Sequence, residues 1–255
     1  MIDSHAHLTG RFGDVERGRE VDKIILAASN IDESEKNIQL AKEEPKRYYP
    51  AVGIHPQCTD PLNKKSTENQ VDILDKLIES NRKLIVTVGE CGLDATPPPA
   101  EERERSRKEQ VELFSGQIDL AIKYKLPLMI HARKAVDEVI EILKEFKDAF
   151  GVFHCYTGGI KRIKKILDLG KWYFGVDGNI TYEVGLEGVV KNIPKDRLLA
   201  ETDTPFLAPL PFRGQINKPD YVRYVYQKIA ELWGVDLAQA EATLDGNAKN
   251  LFNII

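Results

Sequence analysis

The sequence predicts a single α/β domain spanning residues 1–255, with eight short strands alternating with helices in the order of a TIM (β/α)8 barrel. Three observations predict it. Short apolar segments bounded by Gly, Pro or Asp recur along the chain, as buried parallel strands do. Helical periodicity fills the intervals between them. All five histidines, with two carboxylates, stand at or just past the C-terminal ends of these segments, the end at which a barrel gathers its site. An open doubly wound sheet has the same element order, but it normally carries a glycine-rich phosphate turn after its first strand. Here the first strand runs into His5-Ala6-His7 and no G-x-G-x-x-G occurs, so the closed barrel is favoured.

The strand segments lie near Met1–Ser4, Lys23–Ala28, Tyr49–Ile54, Leu84–Val88, Leu128–Ile130, Gly151–Phe153, Trp172–Val176 and Leu198–Ala200. After the second strand, Asp32 and Glu35 have capping-box spacing ahead of Ile38 and Ala41. Val71, Leu74, Leu77 and Ile78 mark the next helix, and Val111, Phe114, Ile118 and Ala121 the longest one. Val136, Val139, Ile140 and Leu143 follow, then Ile160, Ile163 and Leu167. A C-terminal helix is expected from about Pro219 to Trp233, and Asn247 reads as the N-cap of a final helix. Thr96-Pro97-Pro98-Pro99 and Ala208-Pro209-Leu210-Pro211 are too short for linkers and read as stiff loops.

Composition limits the function. An apolar content of 42% supports a large core and excludes a disordered chain. No apolar run approaches the ~20 residues of a membrane span. The first residues are polar, so no secretory leader is expected. With 36 basic and 40 acidic residues the net charge is −4, which gives no global field for nucleic acid; such binding must use local cations. Cys58, Cys91 and Cys155 are odd in number and lack a Cys-x-x-Cys, which reads as reduced thiols in a cytoplasm with no disulfide partner.

The chemistry lies in the histidines. Side chains alternate along a strand, so His5 and His7 share a face with Cα atoms ~6.6 Å apart, close enough to grip one ion. Glu90 follows Val86 and Val88, and alternation predicts that these valines fill the barrel beneath it. Imidazole with carboxylate suits Zn²⁺, Mn²⁺, Ni²⁺ or Co²⁺ better than Ca²⁺. Four His and two carboxylates exceed one tetrahedral site, and two ions sharing a carboxylate is the simplest reading. Each group also has a plainer reading: a histidine hydrogen-bonded in the core, Glu90 paired with a base, Asp203 in an Asx turn before Pro205. Their joint placement at one end of different strands favours the metal.

The chain resembles the TatD family of metal-dependent deoxyribonucleases and hydrolases, within the amidohydrolase-like barrels. The resemblance is carried in order by Asp3-Ser4-His5-Ala6-His7-Leu8, Gly53-Ile54-His55-Pro56 and Gly89-Glu90-Cys91-Gly92-Leu93-Asp94. It continues through Leu126-Pro127-Leu128-Met129-Ile130-His131-Ala132-Arg133 and His154-Cys155-Tyr156-Thr157-Gly158. Glu201-Thr202-Asp203-Thr204-Pro205-Phe206-Leu207-Ala208-Pro209, Arg213-Gly214 and Gly246-Asn247-Ala248-Lys249-Asn250-Leu251-Phe252 complete it. It implies two divalent ions (Zn, Mn, Ni, Co or Mg) bridged by Glu90, with His5, His7 and Asp203 completing one site and His131 and His154 the other. His55 then contacts substrate or phosphate. After Gly92-Leu93-Asp94 the family usually continues with aromatic residues; here Ala95-Thr96 and the Pro97–Pro99 run follow, which bears on substrate preference.

The implied reaction is hydrolysis by a metal-activated water, with Glu90 bridging and Asp203 orienting the water and taking its proton. A phosphodiester needs cations, and Arg133, Arg213 and Tyr156, a ring able to stack on a base, are the candidate substrate contacts. Lys161, Arg162, Lys164 and Lys165 read as a solvated face, as does the mixed charge of Glu101 to Glu109. Glu201 reads as an acid that holds a ligand histidine. The expected activity is a DNase working on strand ends. The alternatives are an ester or amide hydrolase, such as a D-aminoacyl-tRNA deacylase, and a non-catalytic binding barrel. DNA or another phosphodiester is the expected partner, no membrane is expected, and a monomer is the default.

Overall fold

In a computed structural model the structure describes residues 1–9, 16–57, 67–98 and 104–255. Cys58, Pro99 and the Glu101–Arg103 part of the charged run lie outside the described residues. Eight strands form one parallel sheet in chain order: β1 (Ile2–Ala6), β2 (Lys23–Leu26), β3 (Tyr48–Val52), β4 (Thr87–Asp94), β5 (Leu128–Arg133), β6 (Gly151–Phe153), β7 (Trp172–Val176) and β8 (Leu198–Ala200). The interleaved helices are α1 (Ile31–Glu43), α2 (Thr67–Asn81), α3 (Arg107–Tyr124), α4 (Val136–Leu143), α5 (Ile160–Leu167) and α6 (Leu186–Lys191). Two more, α7 (Val222–Trp233) and α8 (Leu237–Phe252), follow β8.

The sheet closes just past the end of β8. Thr204 bridges Ala6 in parallel, the Asp203 amide donates to the His5 carbonyl at 2.9 Å, and the His7 amide donates to the Thr204 carbonyl at 2.8 Å. The barrel seam therefore joins the backbones that carry His5, His7 and Asp203. Strand alternation divides the core in two. Ile2, Ile25, Met129, Val152, Tyr173 and Leu199 form an inner cluster, closed below by Ala248, Leu251 and Phe252 of α8. The larger cluster lies between sheet and helices and includes Ile24, Leu26, Val88, Phe114, Trp172 and Phe174. No helix among the described residues is long and apolar enough to cross a membrane.

Four local expectations need correction. Val88 packs in the helix-facing cluster while Val86 packs on the inner one, so they do not stack beneath Glu90. The register advances from Gly89↔Met129 to Cys91↔Ile130, leaving Glu90 as the extra residue of a bulge, and a bulge re-aims a side chain. The α1 cap is Asn30, whose side chain accepts from the Glu33 amide; Asp32 instead pairs with Lys36 in solvent. Asn247 lies inside α8, which Asp236 caps; its buried amide donates to the Lys195 and Leu198 carbonyls, fixing α8 beneath β8. Arg105, read as part of a solvated run, is buried and donates to Gln70 at 2.9 Å, while Ser106 and Glu109 form a capping box that starts α3.

Candidate metal centre

The C-terminal strand ends surround one cleft of about 850 Å³, lined by His7, His55, Glu90, His131, His154 and Asp203 among others. His5, fully buried, lies beneath them. His5 belongs to β1 and His7 follows it, His131 is in β5, and His154 stands one residue beyond β6. Asp203, three residues past β8, holds a left-handed backbone with φ of 55°. That conformation is uncommon outside glycine, although Asp adopts it more readily than most residues.

Glu90 stands at the centre and divides its two oxygens. Oε1 lies 2.8 Å from His131 Nδ1 and 2.7 Å from His154 Nε2. Oε2 lies 3.4 Å from His7 Nε2 and 3.9 Å from His5 Nε2. Within each pair the facing nitrogens nearly touch, at 3.1 Å between His5 Nε2 and His7 Nε2 and 3.2 Å between His131 Nδ1 and His154 Nε2. Asp203 Oδ1 approaches the first pair, 3.4 Å from His5 Nε2 and 3.8 Å from His7 Nε2.

These spacings fit metal ligation. Two donors ~2.1 Å from one ion at a tetrahedral angle stand ~3.4 Å apart. Two neutral imidazoles that aim lone pairs at each other repel unless a proton or a cation lies between them. His5, His7 and Glu90 meet the spacing for one ion, as do Glu90, His131 and His154, and the two sets share only Glu90. His5, His154 and Asp203 form a further compatible group. The outward Nδ1 atoms of His5 and His154 are buried without a hydrogen-bond partner among the described residues.

The electrostatics point the same way. Burial alone would raise Glu90, but His154, His55 and His131 hold its carboxyl well below the usual range. Burial would lower His7, yet Glu33, Glu90 and Asp203 hold it up at about 10. His5 is driven well below its usual value by burial and by His154. Burial pushes Asp203 up to about 6 against the pull of His154 and His7. Burial, then His131, pushes His55 down to about 3. The pocket thus favours positive charge facing Glu90, and a divalent ion entering it must displace protons.

The remaining predicted residues are less uniformly placed. His55 flanks the cage, with Nε2 3.8 Å from Glu90 Oε1 and Nδ1 accepting from the Gln57 amide. Arg133, at the end of β5, is exposed on the cleft wall. Tyr156 borders the cleft, but its ring packs edge-on against Phe153 and Phe174 and its hydroxyl donates to the Gly159 carbonyl. Arg213 is not among the cleft-lining residues; its guanidinium sits 4.2 Å over the Tyr182 ring. Arg162 and Lys165 pair with Asp137, and Lys164 with Asp168, which leaves three of the four α5 cations engaged on a solvated face. Glu201 accepts from the Cys155 amide at 2.6 Å and lies 3.7 Å from His154 Nδ1.

Two acids of the centre escaped the sequence reading. Glu33 Oε2 lies 3.8 Å from His7 Nδ1 and accepts from the Ser29 amide. Asp94 Oδ2 lies 3.2 Å from His131 Nε2. Strand alternation from Glu90 through Gly92 to Asp94 was the available signal for Asp94. Glu33 gave none, because its approach depends on where the packing of α1 against β3 places the start of that helix.

A parallel eight-stranded barrel with a histidine–carboxylate cage at its C-terminal mouth defines the class of metal-dependent hydrolases. Comparison with known proteins fixes the family: the TatD related DNase model matches residues 2–253, and the chain belongs to that family. The chain is 34% identical to the uncharacterized metal-dependent hydrolase YabD of Bacillus subtilis, covering 100% of this chain and 99% of the relative. It is 31% identical to the 3'-5' ssDNA/RNA exonuclease TatD of Erwinia tasmaniensis, over 94% of this chain and 92% of that protein. Among solved structures, the TatD homolog YjjV of Escherichia coli matches with a TM-score of 0.86 and 28% identity, covering 100% and 98% of the two chains. The protein is a TatD-family metal-dependent hydrolase.

Proposed function

We propose that this hydrolase is an exonuclease that cleaves phosphodiester bonds at the ends of single-stranded DNA, using two divalent ions. His5, His7 and Asp203 would hold one ion and His131 and His154 the other, with Glu90 contributing one oxygen to each set. The observation that carries the reading is the divided carboxylate of Glu90, with one oxygen facing each imidazole pair at the floor of a single cleft. When bound, the ions supply Lewis acidity that activates water at neutral pH and stabilises charge developing on the phosphoryl oxygens.

The side chains have separate tasks. Asp203 enters the cleft across the barrel seam, where it orients the attacking water and accepts its proton at a carboxylate oxygen. Arg133, exposed on the cleft wall, offers a fork of donors to the phosphate oxygens. His55 contacts the phosphate from the wall beside Glu90, whereas Tyr156, buried at the cleft border, supports that wall rather than stacking on a base. Arg213, stacked on Tyr182 beyond the cleft lining, meets a phosphate further along the strand. The name of the Erwinia relative supports strand-end attack on single strands from the 3' side.

The direct test is release of mononucleotides from 3'- and 5'-labelled single-stranded DNA in Mg²⁺ or Mn²⁺, with and without EDTA. Cleavage that begins at the 3' end, stops with chelator and returns on adding metal is expected. Failure of every divalent ion to support cleavage of any phosphodiester would overturn the proposal.

A further inference from the structure

Among the groups that the proposed chemistry leaves unused, the most fully built is the junction between β4 and the loop after it. Asp94, the last residue of β4, is buried at 5% exposure. Its Oδ1 accepts twice from one residue, from the Thr96 amide at 2.7 Å and the Thr96 hydroxyl at 2.6 Å. Its own amide lies 3.0 Å from Gln110 Oε1, which ties the residue to α3. Gln57 Nε2 donates to the Asp94 carbonyl at 3.4 Å and to the Thr96 carbonyl at 2.6 Å. The carboxylate therefore has little freedom to turn, and its remaining oxygen, Oδ2, stands 3.2 Å from His131 Nε2. The opposite ring nitrogen, Nδ1, faces Glu90 and His154.

We propose that Asp94 is a positioning residue that locks His131 in the tautomer with its proton on Nε2, so that an unprotonated Nδ1 enters the cage. The inference rests on the reading that the cage holds divalent ions. A carboxylate only accepts, so the ring must donate from Nε2, and a singly protonated ring then leaves its lone pair on Nδ1. This is the arrangement in which an outer acid orients a ligand imidazole and raises its basicity. Thr96 is part of the device: its hydroxyl fixes the Asp94 carboxylate from behind.

A different role is open to the same atoms. Donor atoms of His55, Asp94 and His131 lie close enough together for an ion of their own. A third ion there would require His131 to ligate through both ring nitrogens while Thr96 saturates half of the Asp94 carboxylate. The geometry favours the orienting hydrogen bond.

Asp94→Asn separates the roles with little change of shape. An amide has one acceptor oxygen, but both Thr96 N–H and His131 Nε2–H require one. Either the Thr96 clasp fails or the amide donates to Nε2, which moves the ring proton to Nδ1 and blocks ligation. Calorimetric titration of Zn²⁺ or Mn²⁺ into the ion-depleted full chain is expected to show affinity weakened roughly 10–100-fold for one of two ions in Asp94→Asn. Thr96→Val, which keeps the backbone N–H, should weaken it only a few-fold. Nitrogen-15 spectra of the histidine rings in the Zn²⁺-loaded chain should show His131 protonated on Nε2. A proton on Nδ1, unchanged affinity in Asp94→Asn, or three ions per chain with one lost in that variant would each overturn the proposal. If Asp94→Asn does not fold, Thr96→Val and the wild-type ring spectrum still decide. A chain that binds ions but cleaves no phosphodiester would overturn the nuclease reading alone and leave these measurements standing.

Discussion

Gly92→Ala places one methyl group where β4 presses against the backbone of β5, directly beside His131 of the proposed metal cage. Gly92 is paired in register with His131, and a Cβ at Gly92 would sit 2.0 Å from the His131 carbonyl oxygen. Contacts under 3.0 Å are essentially never made by real Cβ atoms, so the strands must part by about 1 Å. The neighbour is backbone and cannot swing aside. The Gly92 φ of 134° adds strain, because a side chain rarely tolerates that region. Overpacking costs about 1–3 kcal/mol and the backbone strain about 1–3 kcal/mol more. For a chain of this length each kcal/mol lowers Tm by about 2 °C, so a fall of roughly 4–12 °C is expected. The displacement falls on His131 itself, and a shift of about 1 Å in a reacting constellation costs about 100-fold in rate. Thermal unfolding of the ion-depleted chain and kcat/KM on single-stranded DNA measure the two effects separately. If Tm falls by less than about 2 °C and kcat/KM stays within threefold, the close strand approach does not hold His131 in place and the argument fails.

Other substitutions probe other parts of the same molecule. Glu90→Gln keeps the volume but turns one of the two divided oxygens into a donor aimed at an imidazole pair; elemental analysis should find fewer bound ions, and cleavage should fall by at least about 100-fold. Arg133→Ala should lower kcat/KM by roughly 10–100-fold, the worth of a charge-assisted phosphate contact, without changing the bound ions. Arg213→Ala, stacked on Tyr182 outside the cleft lining, should cost several-fold less in the same assay. Phe114→Ala empties a fully buried position between α3 and the sheet and should destabilise the chain by about 3–5 kcal/mol in urea unfolding while the ion count stays unchanged.

How much of this was legible follows from what each position demands. Strand succession and the placement of His5, His55, His131 and His154 were readable because barrel topology, once assumed, converts position along a strand into position at one rim. Glu90 was placed at the right rim for the wrong reason. Simple alternation from Val86 and Val88 does not deliver it, since the bulge at Glu90 resets the phase, and hydrophobic patterning does not report a one-residue insertion. Asn247 misled because asparagine is a favoured N-cap residue. Asp236 starts α8 well before it, and the burial of Ala240, Leu244, Ala248 and Leu251 outweighs the cost of about 1 kcal/mol for a glycine inside a helix.

The deeper limit concerns orientation. A sequence can say that an imidazole reaches the mouth of a barrel, but not which of its nitrogens turns inward. In His7 and His131 the nitrogen turned away from Glu90 faces an acid on another element, Glu33 at the start of α1 and Asp94 at the end of β4. Alternation along β4 could have marked Asp94, whereas nothing in the spacing marks Glu33. Their constraint is to meet the nitrogen that the cage does not use. It follows that a centre assembled from strand ends is only half specified by its ligands, and that the loop after β4 acts on the cage through Asp94 as well as on whatever enters the cleft.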